Sequence, residues 1–262
     1  MRVIPVMDLR DGLVVHAVKG ERERYRPVTS VLVDTAKPLA VARVFREKLG
    51  LTELYVADLD AIEGRGQHRE LIGRLAQEQT ALMVDAGVAD VAGALTFLAT
   101  GAHKVIVGSE TLADWEALLP IRAAVPAGRL VFSLDMRAGR VLWGAASGLA
   151  SLDHLELLEK LHRAVWQEVI LLDLARVGTG VGVDRALITA ARQRCPELTL
   201  LVGGGVRDAD DLWELQGLGV AGALVATALH RGTITRALLH PFTSRGYTTP
   251  SAQALPPPPQ TG

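Results

Sequence analysis

Short apolar runs rich in Val, Ile and Leu alternate along the chain with longer amphipathic stretches, and the order is strand then helix throughout. These runs predict eight strands, at residues 2–7, 54–59, 81–85, 104–107, 130–134, 168–173, 198–202 and 222–226. The stretches between them predict helices, among them residues 38–50, 112–125 and 208–219. Strands that are apolar almost throughout are typical of a parallel sheet covered by helices. The pattern therefore predicts an α/β fold.

A short motif occurs twice. The stretches "VMDLRDGLVV" at 6–15 and "SLDMRAGRVL" at 133–142 each place an aspartate, an arginine and a glycine among apolar residues. A longer duplication accompanies it, since residues 81–109 align without a gap on residues 199–227. Each half of the chain then holds four strand–helix units.

Two such halves predict one closed eight-stranded barrel, the (βα)8 or TIM barrel. We assign this single domain to residues 1–240, with halves at about 1–126 and 127–240. The remaining residues, 241–262, contain four consecutive prolines and little apolar content, which predicts a disordered tail.

Asp8 and Asp135 hold the same place in the two halves, at the C-terminal ends of strands 1 and 5. Active sites of such barrels lie at that end of the strands. We therefore interpret both aspartates as catalytic. The alternative interpretation is that each one caps a helix or holds a loop.

The stretch "VGGGVRD" at 202–208 follows strand 7 and precedes a helix. Glycines at such a turn let backbone N–H groups approach an anion, and loops after strands 7 and 8 commonly hold a phosphate in this fold. The candidate phosphate-binding residues are Gly203, Gly204, Gly205, Arg207, Ala226 and Thr227. Alternatively, the glycines serve only a tight turn.

The stretches "IPVMDLRDGLVV", "LYVADLDAIEG", "FSLDMRAGRV" and "LLVGGGVRD" resemble the histidine-biosynthesis barrel family. That family comprises the ProFAR isomerase (HisA) and the cyclase subunit of imidazole glycerol phosphate synthase, and the resemblance is greater to the isomerase. It implies an Amadori rearrangement of a phosphorylated aldose aminal to an aminoketose, without cofactor or metal. Asp8 would then be the general base at C2, and Asp135 the general acid that opens the sugar ring. Paired carboxylates suit this chemistry because their environments can separate their pKa values.

The chain departs from the family where a second phosphate would bind, in the loops after strands 3 and 4. Gly108 and Ser109 are retained as candidate phosphate contacts, but Asp85 replaces the first glycine after strand 3. Leu172 also replaces the threonine that the family has near the end of strand 6. Because a carboxylate repels a phosphate dianion, we predict one working phosphate site and a substrate other than the ordinary one of the histidine pathway.

Loop 1 contains "GERERYRP" at 20–27, which resembles the same loop in a HisA-related group that is associated with tetrahydromethanopterin-dependent one-carbon genes. Guanidinium groups bind carboxylates or phosphates, and a tyrosine can stack on a planar ring. Candidate substrate contacts are Lys19, Arg22, Arg24, Tyr25 and Arg26 in this loop, together with Asp58, Asp85, Asp173 and Gly178 at other strand ends. The alternative is a solvated loop in which Glu21 and Glu23 pair with the arginines.

Composition excludes several classes of function. The net charge of −1 gives no basic field for nucleic acid, and no apolar run is long enough to span a membrane. The single cysteine, Cys195, cannot form an internal disulfide, and early charges argue against a secretion signal, so we expect a cytoplasmic protein. The seven histidines lack metal-ligand spacing, and we expect neither metal nor cofactor.

The sequence thus favours an enzyme that isomerises a small phosphorylated metabolite by acid–base catalysis. One alternative places the same fold in tetrahydromethanopterin or one-carbon coenzyme biosynthesis. The other is a non-catalytic barrel that binds a phosphorylated ligand or serves as a synthase subunit. The sequence leaves open a partner subunit or a homo-oligomer.

Overall fold

The computed structural model describes residues 1–79, 81–144 and 152–243, in which eight parallel strands form a barrel. The strands are β1 (Arg2–Arg10), β2 (Glu53–Asp58), β3 (Ala81–Asp85), β4 (Lys104–Gly108), β5 (Leu130–Arg137), β6 (Glu168–Asp173), β7 (Thr199–Gly203) and β8 (Gly222–Val225). Each strand pairs with the next, and β8 pairs with β1, which closes the barrel. The predicted (βα)8 barrel is therefore confirmed, although β1 and β5 run further than predicted.

Helices cover the outside of the barrel. They are α1 (Pro38–Leu49), α2 (Leu59–Ile62), α3 (Arg69–Glu78), α4 (Val91–Ala99), α5 (Leu118–Ala124), α6 (His154–Arg163), α7 (Arg185–Arg194), α8 (Ala209–Gly217), α9 (Thr227–Arg231) and α10 (Arg236–Thr243). The helix predicted at 112–125 begins only at Leu118, because a turn in which Asp114 accepts the N–H of Ala117 precedes it. In the described part of the chain, no helix combines the length and apolarity that crossing a membrane requires.

The last helix continues to Thr243, three residues into the segment predicted as a tail. The rest of that segment, residues 244–262, lies outside the described residues. Its disorder stays a prediction.

The duplicated motif forms the same hairpin in both halves. Strand β1 turns back on a short antiparallel strand at Leu13–His16, and β5 turns back on Arg140–Val141. The central turn residues all have positive φ, as a type I′ turn requires: 51° and 74° at Asp11 and Gly12, and 51° and 77° at Ala138 and Gly139. The motif therefore extends both strands beyond the barrel, and it places Asp8 and Asp135 three residues before equivalent turns.

Side chains alternate along each strand between the barrel lumen and the helices. An inner apolar cluster contains Ile4 of β1, Tyr55 of β2 and Val131 of β5, whereas an outer cluster packs Met7 and Phe132 against the helices. Residues an even number of positions from Ile4 and Val131 in their strands face the lumen. This alternation directs Asp8 and Asp135 into its open end.

A layer of charged residues fills the lumen at the N-terminal ends of the strands. Arg2 pairs with Glu53 at 3.0 Å and also with Glu168, and Lys104 pairs with Glu168. Glu53, Lys104 and Glu168 are buried. Ion pairs thus form the floor of the barrel, at the end opposite Asp8 and Asp135.

Candidate active site

A cavity of about 580 Å³ opens at the C-terminal ends of the strands. Most of the residues predicted to contact substrate line it: Asp8, Arg22, Tyr25, Asp85, Asp135, Gly178, Gly203, Gly204, Gly205, Arg207, Ala226 and Thr227. The cavity therefore brings together residues from both halves of the chain.

Asp8 projects into this cavity from β1, and its carboxylate accepts no hydrogen bond from the described residues. Burial raises its pKa to about 7; the nearby Arg22 acts against this shift, and Asp85 adds to it. A carboxylate with a pKa near neutrality is partly ionised at pH 7 and can accept a proton.

Asp135 lies at the equivalent position of β5 and is 3% exposed. Burial raises its pKa well above the ordinary value, and the neighbouring carboxylates of Glu110 and Asp85 raise it further. The hydroxyl of Ser133 donates to Asp135 Oδ1 at 2.7 Å. Asp135 is therefore the carboxyl of the pair that holds its proton at neutral pH and can donate it.

Two loops of the C-terminal half present free backbone donors on the cavity wall. The N–H groups of five cavity residues have no hydrogen-bond partner among the described residues: Gly204, Gly205, Val206, Ala226 and Thr227. Unpartnered N–H groups at such a turn favour an anion. We refer to these five residues as the anion cradle.

Gly204 and Gly205 have φ of +97° and +99°, and a Cβ at either position would collide with a backbone carbonyl oxygen, that of Asp173 or of Gly182. Only glycine fits at these two positions. Close packing therefore accounts for two of the three successive glycines, and it leaves their N–H groups uncovered.

Arg207 was predicted to contact the phosphate, and it does line the cavity. Its guanidinium, however, makes two contacts with the buried carboxylate of Asp211, at 3.0 Å from Nε to Oδ2 and 2.6 Å from Nη2 to Oδ1. This ion pair directs the charge of Arg207 toward α8, and its contact with a phosphate stays a prediction.

In the equivalent loops of the N-terminal half, Asp85 and Glu110 line the cavity, whereas residues 86–88, 108 and 109 do not. Asp85 Oδ1 accepts the N–H of Gly87 at 3.3 Å, and the hydroxyl of Tyr55 donates to Asp85 Oδ2 at 3.0 Å. The carboxylate of Glu110 also faces the cavity on this side. Carboxylates of the protein therefore face the cavity where a second phosphate would bind, and Asp85 takes up one of the backbone donors there.

Gly108 and Ser109, also predicted to contact phosphate, do not line the cavity. Ser109 is fully buried, and its hydroxyl accepts the N–H of Asp135 at 3.0 Å. Their role in this structure is to hold β5 in place. Glu110, which the sequence did not indicate, lies on the wall instead.

Loop 1 places only two of its five candidates in the cavity. Arg22 Nη2 pairs with Glu110 Oε1 at 2.6 Å, and Tyr25 is buried in the inner apolar cluster. Lys19, Arg24 and Arg26 are exposed and do not line the cavity. Arg24 pairs with Glu21, and Arg26 donates to the carbonyl of Tyr25 at 2.8 Å; this outer part of the loop agrees with the solvated alternative.

Asp58 and Asp173 occupy the alternate positions of their strands and do not line the cavity. Asp58 caps α2 through the N–H of Ala61. Asp173 accepts the N–H of Ala175 and the Nε–H of Arg176, each at 3.0 Å. Both carboxylates thus hold loops, as the alternative reading of strand-end aspartates proposes.

Asp58, Asp60 and His68 lie close enough together to suggest a metal site. In this arrangement the buried Asp60 Oδ1 accepts no hydrogen bond from the described residues, whereas the other ligand atoms have protein partners. His68 Nδ1 lies 2.9 Å from Asp58 Oδ1, and the N–H of Gly12 donates to His68 Nε2 at 3.1 Å. Asp60 Oδ2 accepts the N–H of Asp11 at 2.6 Å, and its Oδ1 lies 2.7 Å from Arg65 Nη2. These hydrogen bonds hold the turn of the first hairpin in place.

Several cavity residues were not predicted from the sequence: His16, Tyr55, Glu110, Arg137 and Arg231. The alternation of β2 carried a signal for Tyr55, because it stands two positions before the lumen-facing Ala57. His16 and Arg231 come to the cavity only through tertiary contacts.

The family model described as histidine biosynthesis protein matches residues 2–235. The chain belongs to this family. Among its relatives is an isomerase from Thermus thermophilus that is 32% identical over 235 residues, covering 89% of this chain and 96% of that protein. An isomerase of the same name from Deinococcus radiodurans is 34% identical over 237 residues, covering 89% of this chain and 95% of that protein.

Both of these histidine biosynthesis family members are named as isomerases of 1-(5-phosphoribosyl)-5-((5-phosphoribosylamino)methylideneamino) imidazole-4-carboxamide, a compound with two phosphoribosyl groups. A further relative, from Methanocaldococcus jannaschii, is described as uncharacterized. It is 33% identical over 236 residues, covering 89% of this chain and 95% of that protein.

Proposed function

We propose that the protein catalyses an acid–base isomerisation of the Amadori type on a small metabolite that carries a single phosphate. The observation that supports this most directly is the shared cavity, in which two equivalent aspartates face an anion cradle. The isomerases named among the relatives favour the same class of reaction.

The two carboxyl groups suit the two proton transfers. Asp135, which keeps its proton, protonates the ring oxygen of the aldosylamine; the C1–O bond breaks and the nitrogen forms an iminium. Asp8, as a carboxylate, then removes the proton from C2 to give an enaminol, which tautomerises to the aminoketose. Protons move between substrate and protein, no electrons leave the substrate, and no redox cofactor is required.

The unequal halves support a substrate with a single phosphate. In the C-terminal half, five N–H groups stand free on the wall, whereas in the N-terminal half the carboxylates of Asp85 and Glu110 line the wall and Asp85 accepts the N–H of Gly87. A phosphate placed there would also meet the carboxylates at short range. These contacts favour a substrate with one phosphate over the two in the compound named for the relatives.

A panel of ribosylamines with one or two phosphates tests the proposal, with Asp8→Asn and Asp135→Asn as variants. We expect turnover of a monophosphate, and a loss of at least about a hundredfold in each variant, the usual scale for an acid or base. Asp58→Asn alters a carboxylate outside the cavity, and thermal melting shows whether any loss of rate follows from loss of fold.

Three outcomes would contradict this function. Turnover at the wild-type rate in both variants would remove the aspartates from the mechanism. Binding of a phosphate ester without turnover across the panel would favour the non-catalytic barrel. Preferred turnover of the bisphosphate would restore the histidine-pathway compound as substrate. Placement in tetrahydromethanopterin or one-carbon coenzyme biosynthesis stays a prediction, which neighbouring genes would test.

A further inference from the structure

The anion cradle needs a source of positive charge other than Arg207. Five N–H groups supply partial charges only, and the guanidinium of Arg207 is committed to Asp211. Strong phosphate sites add a full positive charge, because a charge-assisted hydrogen bond is about twice as strong as a neutral one. Other cationic side chains on this side of the cavity therefore determine how tightly the phosphate is held.

Two such side chains line the cavity beside the cradle. His16 ends the second strand of the first hairpin, and its Nε2 lies 3.0 Å from the hydroxyl of Thr227, a cradle residue. Arg231 lies at the end of α9, and it forms no hydrogen bond or ion pair with the described residues. One imidazole and one free guanidinium thus stand at the loop after β8.

We propose that His16 and Arg231 form the cationic wall of the anion cradle, and that His16 takes up a proton when a phosphate dianion binds. This inference rests on the proposed function, because it assumes that the substrate phosphate occupies the cradle. A doubly protonated His16 donates from Nε2 to a phosphate oxygen or to Thr227 Oγ1. In the second case the hydroxyl of Thr227 turns its own hydrogen toward the phosphate.

The environment of His16 favours this exchange. Burial and the nearby Arg231 both hold the pKa of His16 below its ordinary value in the free protein. A dianion beside both cations offsets the repulsion from Arg231 and raises the His16 pKa. His16 is therefore neutral in the empty site near pH 7, and it becomes charged as the ligand arrives.

Few other groups near His16 titrate in the same pH range. His230 of α9 bonds Ser30 through Nδ1 at 3.0 Å, and burial lowers its pKa to about 4. Arg26, on the strand paired with His16, keeps its charge and donates to backbone carbonyls. Asp8 of β1 and Asp85 of β3, which line the same cavity, are the exceptions, since their pKa values of about 7 and about 6 require separate controls.

The charged side chains of α1, which packs beside this hairpin, are directed elsewhere. Arg43 and Arg46 pair with Glu78, at 3.4 and 3.0 Å. Lys48 donates to the carbonyl of Leu32 at 2.7 Å. Glu47 lies 3.5 Å from Arg46.

Sulfate is the probe of choice, because it keeps two negative charges between pH 5 and pH 8. We expect calorimetry at constant ionic strength to show about tenfold tighter sulfate binding at pH 5.5 than at pH 8 in the wild type. This is the size of change expected for one charge-assisted contact. His16→Gln, which cannot become charged, should bind weakly at both pH values. His16→Arg should bind tightly at both.

Two further variants separate the contributions. Arg231→Met should weaken sulfate binding about tenfold at both pH values and keep the pH dependence. His162→Gln removes an exposed histidine of α6 that does not line the cavity, and it should match the wild type. Thermal melting of each variant shows that it is folded.

The results separate this inference from the proposed function. Wild-type pH dependence in His16→Gln, or its disappearance only in Asp8→Asn or Asp85→Asn, would overturn the role of His16 and leave the isomerase proposal in place. A wild-type protein that binds no sulfate would overturn both the cationic wall and the cradle. Sulfate binding as expected, with full turnover in Asp8→Asn and Asp135→Asn, would overturn only the isomerase mechanism.

Discussion

The two catalytic candidates are the same residue of a duplicated motif, and their neighbours give them different chemistry. Arg22 of loop 1 lowers the pKa of Asp8, whereas the carboxylate of Glu110 raises the pKa of Asp135. Burial raises both pKa values. The sequence indicated which two residues to examine, but the division into base and acid depends on Arg22 and Glu110, whose positions result from tertiary folding.

This division predicts a bell-shaped dependence of kcat on pH. The lower limb should fall as Asp8 becomes protonated below about pH 7, and the upper limb should fall as Asp135 ionises well above its ordinary range. We specify kcat, measured at saturating substrate, so that the effect of His16 on substrate binding does not enter the pH profile. A kcat that stays constant between pH 5.5 and pH 7.5 would contradict the role of Asp8, and the residual rate of Asp8→Asn should lack the lower limb.

The same burial predicts that Asp8 lowers stability when it is ionised. Its pKa is raised in the folded protein, so its favourable contribution is present at low pH and is lost as the pH rises through about 7. Asp8→Asn removes this pH dependence. The free energy of unfolding of Asp8→Asn, relative to that of the wild type, should therefore rise by about 2 kcal/mol between pH 5 and pH 8.

Urea denaturation at both pH values measures this gain. Asp11→Asn, in the exposed turn of the same hairpin, is the matched control, because it removes a carboxylate that does not line the cavity. A difference for Asp8→Asn that stays equal at pH 5 and pH 8 would show that Asp8 is not desolvated as described.

At the scale of elements, the alternation along the strands predicts more of the site than the motifs alone. Asp8, Asp85 and Asp135 share the parity of the inner apolar cluster and line the cavity, whereas Asp58 and Asp173 have the opposite parity and hold loops. Parity therefore separates catalytic candidates from structural aspartates. It could not place His16 against Thr227, which is 211 residues away, because the pair depends on closure of the barrel.

The two phosphate loops differ at one position that can be tested. In the gapless alignment of the halves, Asp85 corresponds to Gly203, which lines the cavity and does not have the positive φ of Gly204. A Cβ at Gly203 would lie 2.7 Å from Leu172 Cδ1, the end of a flexible side chain. Gly203→Asp should therefore fold and reduce sulfate binding by at least about a hundredfold, because it places a negative charge beside the cradle.

Gly203→Ala is the matched control, because it adds the same Cβ without a charge. Calorimetry should show that it keeps sulfate affinity within about threefold of the wild type, since the cradle donors are backbone N–H groups. Equal losses in the two variants would attribute the effect to steric bulk, and wild-type affinity in Gly203→Asp would place the anion elsewhere.

At the scale of the whole molecule, the two ends of the lumen carry charge for different purposes. The open end surrounds the cavity and holds the carboxyl groups of Asp8 and Asp135. The closed end holds the ion pairs of the floor, and no residue of the floor lines the cavity. The duplication and the strand–helix order predicted the closed barrel. They did not predict the floor, although Arg2, Glu53, Lys104 and Glu168 all stand at lumen-facing positions of their strands.

The floor predicts a large loss of stability from a single neutral substitution. Glu168 accepts from both Arg2 and Lys104, so Glu168→Gln leaves Lys104, which is 7% exposed, without its carboxylate. An unpaired buried charge is costly, and urea denaturation should show a loss of about 3 kcal/mol in the free energy of unfolding. Per folded molecule, kcat should be unchanged, because the floor lies outside the cavity.

A double variant separates the unpaired charge from the loss of the pair itself. Lys104→Met combined with Glu168→Gln removes the buried ammonium, and it should recover most of the lost stability, since apolar side chains can replace buried ion pairs at little cost. Glu21→Gln, which removes an exposed partner of Arg24, should leave the free energy of unfolding close to that of the wild type. Equal stability of the single and double variants would show that the ammonium of Lys104 is not desolvated in the floor, and that packing alone closes this end of the barrel.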